Sequence, residues 1–90
     1  MSLNRWAKRR DANEPEIIEA FEKLGFSVVR LDLPCDLIVG RHNRSYLVEV
    51  KTAKGKLKDT QKEFKETWKG NFAVVRSVED VINFERGLLK

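Results

Sequence analysis

The sequence predicts a small α/β domain built around a mixed four-stranded sheet. Three observations lead there. Ninety residues are one domain's worth of chain, enough for a modest core. Four short runs, at 26–31, 36–40, 45–51 and 72–76, are rich in β-branched and aromatic residues. Between and around them, apolar residues recur at helical spacing. The order reads helix, three strands, helix, strand, helix. Three successive strands close as an antiparallel meander. A fourth that arrives through a helical crossover joins in parallel, giving a small sandwich of sheet and helices.

The elements follow in order. Asn13-Glu14-Pro15-Glu16 reads as a helix start, with Asn13 as the cap, proline in the first turn and acids against the dipole. Ile17, Phe21 and Leu24 recur at helical spacing, and Gly25 stops the helix. The first strand follows, then a turn holding Pro34, then Asp36-Leu37-Ile38-Val39-Gly40 as the second strand. Arg41-His42-Asn43-Arg44 reads as a hairpin turn into the third. Ala53-Lys54-Gly55-Lys56 is a basic loop. A second helix is expected over 58–69, with Leu57, Phe64 and Trp68 on its apolar face and Gly70 at its end. After the fourth strand, Ser77 caps a last helix with Asp80 three residues on, and Val78, Val81, Ile82 and Leu88 face inward. Residues 1–12 read as a basic arm and 13–90 as the folded domain.

Composition narrows the setting. Hydrophobic residues make up 41% of the chain, which argues for a globular fold over disorder. The net charge of +4 favours a polyanionic partner such as nucleic acid. Cys35 is the only cysteine, so no internal disulfide can form. No apolar stretch approaches a membrane span and no signal peptide is visible, so a cytoplasmic setting is expected.

The third strand, Ser45-Tyr46-Leu47-Val48-Glu49-Val50-Lys51, carries the chemistry-bearing pattern. Alternate side chains share a face in a strand, so Leu47, Glu49 and Lys51 point one way and Tyr46, Val48 and Val50 the other. A carboxylate and an ammonium in an apolar strand are costly unless they pair or bind something. The same letters recur in Glu63-Phe64-Lys65, but on a helix positions two apart point about 200° apart and cannot share a site. Asp36 heads the strand across the hairpin and falls opposite Glu49 or Val50. Directly opposed residues have Cβ atoms roughly 5 Å apart, and two carboxylates that close repel unless a proton or cation sits between them. Mg²⁺ or Mn²⁺, with the Val50 carbonyl as a further ligand, suits such hard oxygen donors. Lys51 is placed to orient a water or to neutralise charge on a phosphate. The inert alternative is a solvated Glu49–Lys51 pair at a sheet edge.

These residues resemble a known family. Asp36, Glu49-Val50-Lys51, Gly55-Lys56-Leu57 and Gln61-Lys62-Glu63-Phe64 are similar to the VRR-NUC family of the PD-(D/E)XK nucleases, in the small stand-alone form found in phages and bacteria. Arg10 to Ala20 resembles that family's first helix, and Trp68 to Asp80 its later strand and helix. The resemblance implies an α-β-β-β-α-β restriction-endonuclease-like core with a C-terminal helix. It implies a metal-dependent endodeoxyribonuclease acting on branched or four-way junction DNA. By the family motif, Asp36, Glu49 and Lys51 are catalytic, Glu16 completes the metal site and Gln61 lies near it. Glu14 competes with Glu16, and Asn13-x-x-Glu16 also reads as a plain capping box. The family has proline directly before its first aspartate; here Cys35 stands there and Pro34 one earlier. Cys35 reads as a small buried apolar residue.

Arg9 and Arg10 in the arm, Arg41 and Arg44 at the hairpin, and Lys54, Lys56 and Lys58 beyond the third strand are the candidate DNA contacts. Phosphate contact of this kind gives affinity without sequence reading. Symmetric cutting of a junction needs two sites, so a homodimer is expected, with Trp6 and Trp68 as candidate anchors. The altered Cys35-Asp36 turn motivates an alternative: a non-catalytic DNA-binding module with a nuclease-like fold.

Overall fold

In the computed structural model, which describes residues 11–89, seven elements follow in the order expected: α1 (Glu14–Lys23), β1 (Ser27–Arg30), β2 (Leu37–Arg41), β3 (Arg44–Val50), α2 (Asp59–Thr67), β4 (Phe72–Val75) and α3 (Val78–Leu88). They form one open sheet in the order β1-β2-β3-β4. The first three strands are antiparallel, and β4 lies parallel to β3 after the α2 crossover. The described residues thus form a small α/β fold with a mixed sheet and three helices. The arm residues Arg9, Arg10 and Trp6 lie outside the described residues.

Local chemistry accounts for the boundaries. Gly25 takes φ +89 directly after α1, a conformation that side-chain-bearing residues rarely adopt. The β2–β3 hairpin turns on His42 and Asn43 alone, at φ 58 and 63, closed by the pair Arg41–Arg44. Both central residues of such a tight hairpin need positive φ, which asparagine tolerates and histidine adopts less readily. Ser77 Oγ accepts from Asp80 N at 3.1 Å, as the capping pattern predicts. The return bond goes from Arg76 N to Asp80 Oδ2 at 2.8 Å.

The core lies on one face of the sheet. Register places Leu37 opposite Val48, Val39 opposite Tyr46, and Val50 opposite Val75. These buried residues meet Ile17 and Phe21 of α1 and Val81 of α3. An aromatic cluster fills the open end: Tyr46 packs edge-on to Phe84 with centroids 5.2 Å apart, and Phe21 edge-on to Phe26 at 5.4 Å. A fully buried side chain such as Phe21 stabilises the fold by about 1.5–3 kcal/mol.

Three expectations are corrected here. Asn13 makes no side-chain cap bond, because its amide is engaged elsewhere. Ile82 is exposed, and Phe84 takes the inward position, since Val81, Phe84 and Leu88 share one helical stripe. Trp68 is 44% exposed, and α2 has no fully buried residue. The helix leans on the second sheet face through Phe64, whose ring lies 5.7 Å from that of Phe72 and stacks on Trp68. On that face Val29, Ile38, Leu47 and Phe72 form one row across all four strands.

Candidate metal centre

The next row along that second face holds the acids. Extending the β2–β3 register by one pair sets Asp36 opposite Glu49, and Glu49 in turn pairs with Val74 of β4. Val50 N donates to Asp36 Oδ2 at 2.8 Å, which ties the aspartate to the end of β3. Glu49 is 1% exposed and Asp36 5%. Both line one cleft of about 350 Å³, together with Val50, Lys51 and Gln61. Asp11 and Lys58 line its remaining sides.

Glu49 is held from two directions. Lys51 Nζ lies 3.2 Å from Glu49 Oε2, and its side chain is only 14% exposed. Gln61 Nε2 donates to the same oxygen at 2.7 Å. Gln61 Oε1 accepts from Lys58 N at 2.9 Å, so one amide bridges the start of α2 and the acid on β3. The Glu49–Lys51 pair is therefore neither solvated nor at an edge, because β3 lies between β2 and β4. Burying both charges is unfavourable unless each is bonded, which Lys51 and Gln61 accomplish at Glu49. In α2, Glu63 and Lys65 are both exposed, as helical phase requires.

The first-helix acids divide differently from expectation. Glu16 is exposed and lines a groove between α1 and α3 with Lys23, Val78 and Ile82, away from the cleft. Glu14 is fully buried and pairs with Arg30 Nε at 3.1 Å. The spacing Glu14, Ile17, Phe21 puts Glu14 on the core stripe of α1, a signal legible in the sequence. Neither glutamate lines the cleft with Asp36 and Glu49.

Two residues that sequence reasoning did not assign to the site secure its rim. Asn13 Nδ2 donates to Lys51 O and to Arg76 O, each at 3.0 Å, and so ties α1 to the exits of β3 and β4. Arg76 Nη1 donates to Thr52 O at 2.8 Å and also to Gly55 O. These bonds fix the loop bearing Lys54 and Lys56, which are exposed; Lys58, also exposed, lines the cleft.

The hairpin cations lie elsewhere. Arg44 is exposed at the tip, about 16 Å along β3 from Glu49 at the usual rise per residue. Arg41 is structural: Nη1 donates to Leu24 O at 2.9 Å, lies 3.3 Å from Glu85 Oε2, and the guanidinium sits 4.3 Å from the Phe26 ring centre. Its Nη1 is thus engaged by protein groups. Cys35 is buried, with Sγ 3.4 Å from Leu37 O, as expected of a small apolar residue.

The donor chemistry fits a hard divalent ion. Two carboxylates from paired strands reach one cleft, and the ordinary ligands of Mg²⁺ are such oxygens. In extended backbone a residue's N–H and C=O leave toward the same neighbouring strand, so the Val50 carbonyl points to the Asp36 side, where its N–H already bonds. Among the described residues no three Asp, Glu, His or Cys side chains converge on one point closely enough to ligate an ion directly. Two carboxylates plus a carbonyl leave room for the several waters that Mg²⁺ keeps. Among the described residues no helix is long and apolar enough to cross a membrane. Comparison with models of known protein families, with curated proteins and with solved structures finds no match to this chain.

Proposed function

We propose that this chain is a Mg²⁺- or Mn²⁺-dependent endodeoxyribonuclease with a PD-(D/E)XK-type core, hydrolysing phosphodiester bonds in branched or four-way junction DNA. One observation carries the reading: Asp36 and Glu49, from paired strands, line a single cleft with Lys51 bonded to Glu49. Apart from the Val50 N–H that Asp36 accepts, a buried acid pair with a lysine at that spacing gives the fold nothing that apolar side chains would not.

Asp36, Glu49 and the Val50 carbonyl are the groups that would hold the ion. When bound, it supplies Lewis-acid polarisation of a phosphoryl oxygen and a water of lowered pKa. Val50 N–H fixes Asp36, and Gln61 fixes Glu49, so neither carboxylate must reorganise as charge develops. Lys51 Nζ stands beside Glu49 where it orients the attacking water and offsets negative charge growing on the phosphate. The attacking water loses a proton as its oxygen bonds to phosphorus, one ester P–O bond breaks, and the departing oxygen takes up a proton, so that one water is added in all. Lys54, Lys56 and Lys58 hold flanking phosphates, and two copies of the chain would address two strands of a junction.

The test is incubation of the purified chain with a labelled four-way junction, with Mg²⁺ or Mn²⁺ and with EDTA. The reading predicts nicking that needs the ion and disappears in Glu49→Ala. Cleavage that survives EDTA, or salt-sensitive binding with no nicking on any substrate, would replace it with another reading.

A further inference from the structure

We infer that Asp11, in the segment just before α1, is the third acid of the cation site, acting on the water shell of the ion. This rests on the cation-binding reading of the cleft given above. Asp11 is half-buried and lines the same cleft as Asp36 and Glu49. Its backbone is fixed, because Asp11 O accepts from Glu14 N at 3.1 Å in the turn that opens α1. Among the described residues nothing bonds to its carboxylate, whereas Asp36 is bonded by Val50 N, and Glu49 by Gln61 and Lys51.

The charges in the cleft make this placement unfavourable on its own. Among the described residues, three acids, Asp11, Asp36 and Glu49, face two lysines, Lys51 and Lys58. Lys51 is engaged with Glu49, and no ion pair joins Lys58 to any described acid. A carboxylate partly removed from water beside two others is repelled unless a cation joins them. A divalent ion reverses the sign of the balance. Since no three acids converge closely enough for direct ligation, Asp11 accepts from a water that the ion retains. The expected first-helix acids are otherwise placed: Glu14 is paired with Arg30, and Glu16 lines the groove on the α1–α3 side.

The test is Mn²⁺ titration of the full chain by isothermal calorimetry, for wild type, Asp11→Asn and Glu16→Gln, with thermal melts to show that each variant is folded. Asp11→Asn is expected to raise the Kd for Mn²⁺ about 10-fold, the scale of an outer-shell partner. Glu16→Gln is expected to leave it unchanged. If Asp11→Asn binds Mn²⁺ as tightly as wild type, or the loss falls on Glu16→Gln instead, the inference is overturned while the cleft remains a cation site. If the wild-type chain takes up no Mn²⁺, the reading of the cleft itself fails, and the inference with it.

Discussion

Gln61 Nε2 donates to Glu49 Oε2 at 2.7 Å, joining the first turn of α2 to the acid of the central strand. The opposite end of the same amide accepts from Lys58 N, so the side chain cannot turn without breaking two bonds. Gln61→Ala is expected to lower metal-dependent cleavage about 10–100-fold, the usual effect of losing a partner that orients a metal ligand. Gln61→Glu should do no better, because it sets a second carboxylate against Glu49. Single-turnover cleavage rates at saturating Mg²⁺ check both.

Asp36 has a structural duty as well as its proposed chemical one. It accepts from the backbone N–H of Val50 in a buried setting. Asp36→Ala leaves that N–H unsatisfied and should destabilise the fold by about 1–3 kcal/mol. Asp36→Asn keeps an acceptor there and should melt close to wild type, while Mn²⁺ binding and cleavage are lost. Denaturant melts beside Mn²⁺ titrations separate the two effects.

Arg41 and the loop lysines should part company in the same pair of assays. Arg41→Ala removes the bond to Leu24 O, the contact with Glu85 and the stack on Phe26, and is expected to lower stability by about 1–2 kcal/mol. DNA affinity should change little. Lys54→Ala, Lys56→Ala and Lys58→Ala should leave stability unchanged, weaken DNA binding, and each reduce the salt slope of log K by about 1. Fluorescence anisotropy over a salt series reads that slope.

Asn13 and Arg76 predict a third pattern. Asn13→Asp removes the amide that donates to Lys51 O and Arg76 O, and sets a negative charge beside both carbonyls. A loss of about 2 kcal/mol or more is expected, because the group is partly buried. Arg76→Ala should loosen the loop at 52–55, seen as faster amide hydrogen exchange there than in β2.

Much of this was legible in the chain because strand periodicity is rigid. The two-residue repeat that put Glu49 and Lys51 on one face of β3 also separated them from Glu63 and Lys65 on α2, and the hairpin count brought Asp36 opposite Glu49 or Val50. What failed was helical phase and tertiary competition. Glu14 lies on the stripe of Ile17 and Phe21, which a proline-and-acid reading of the first turn passed over. Asn13 looked like a cap, but its amide is drawn to two strand-end carbonyls distant in sequence, and no local pattern encodes those. Arg41 looked like a surface cation because Leu24, Glu85 and Phe26 converge on it only when the chain has folded.

The central claim is that Asp36 and Glu49 share one divalent ion. A crystal soaked in Mn²⁺ and measured for anomalous scattering tests it most directly. The account predicts one strong peak in the cleft, within direct ligand distance of an oxygen of each carboxylate and near the Val50 carbonyl. A soaked crystal with no peak there, or a peak touching only one of the two acids, would contradict it.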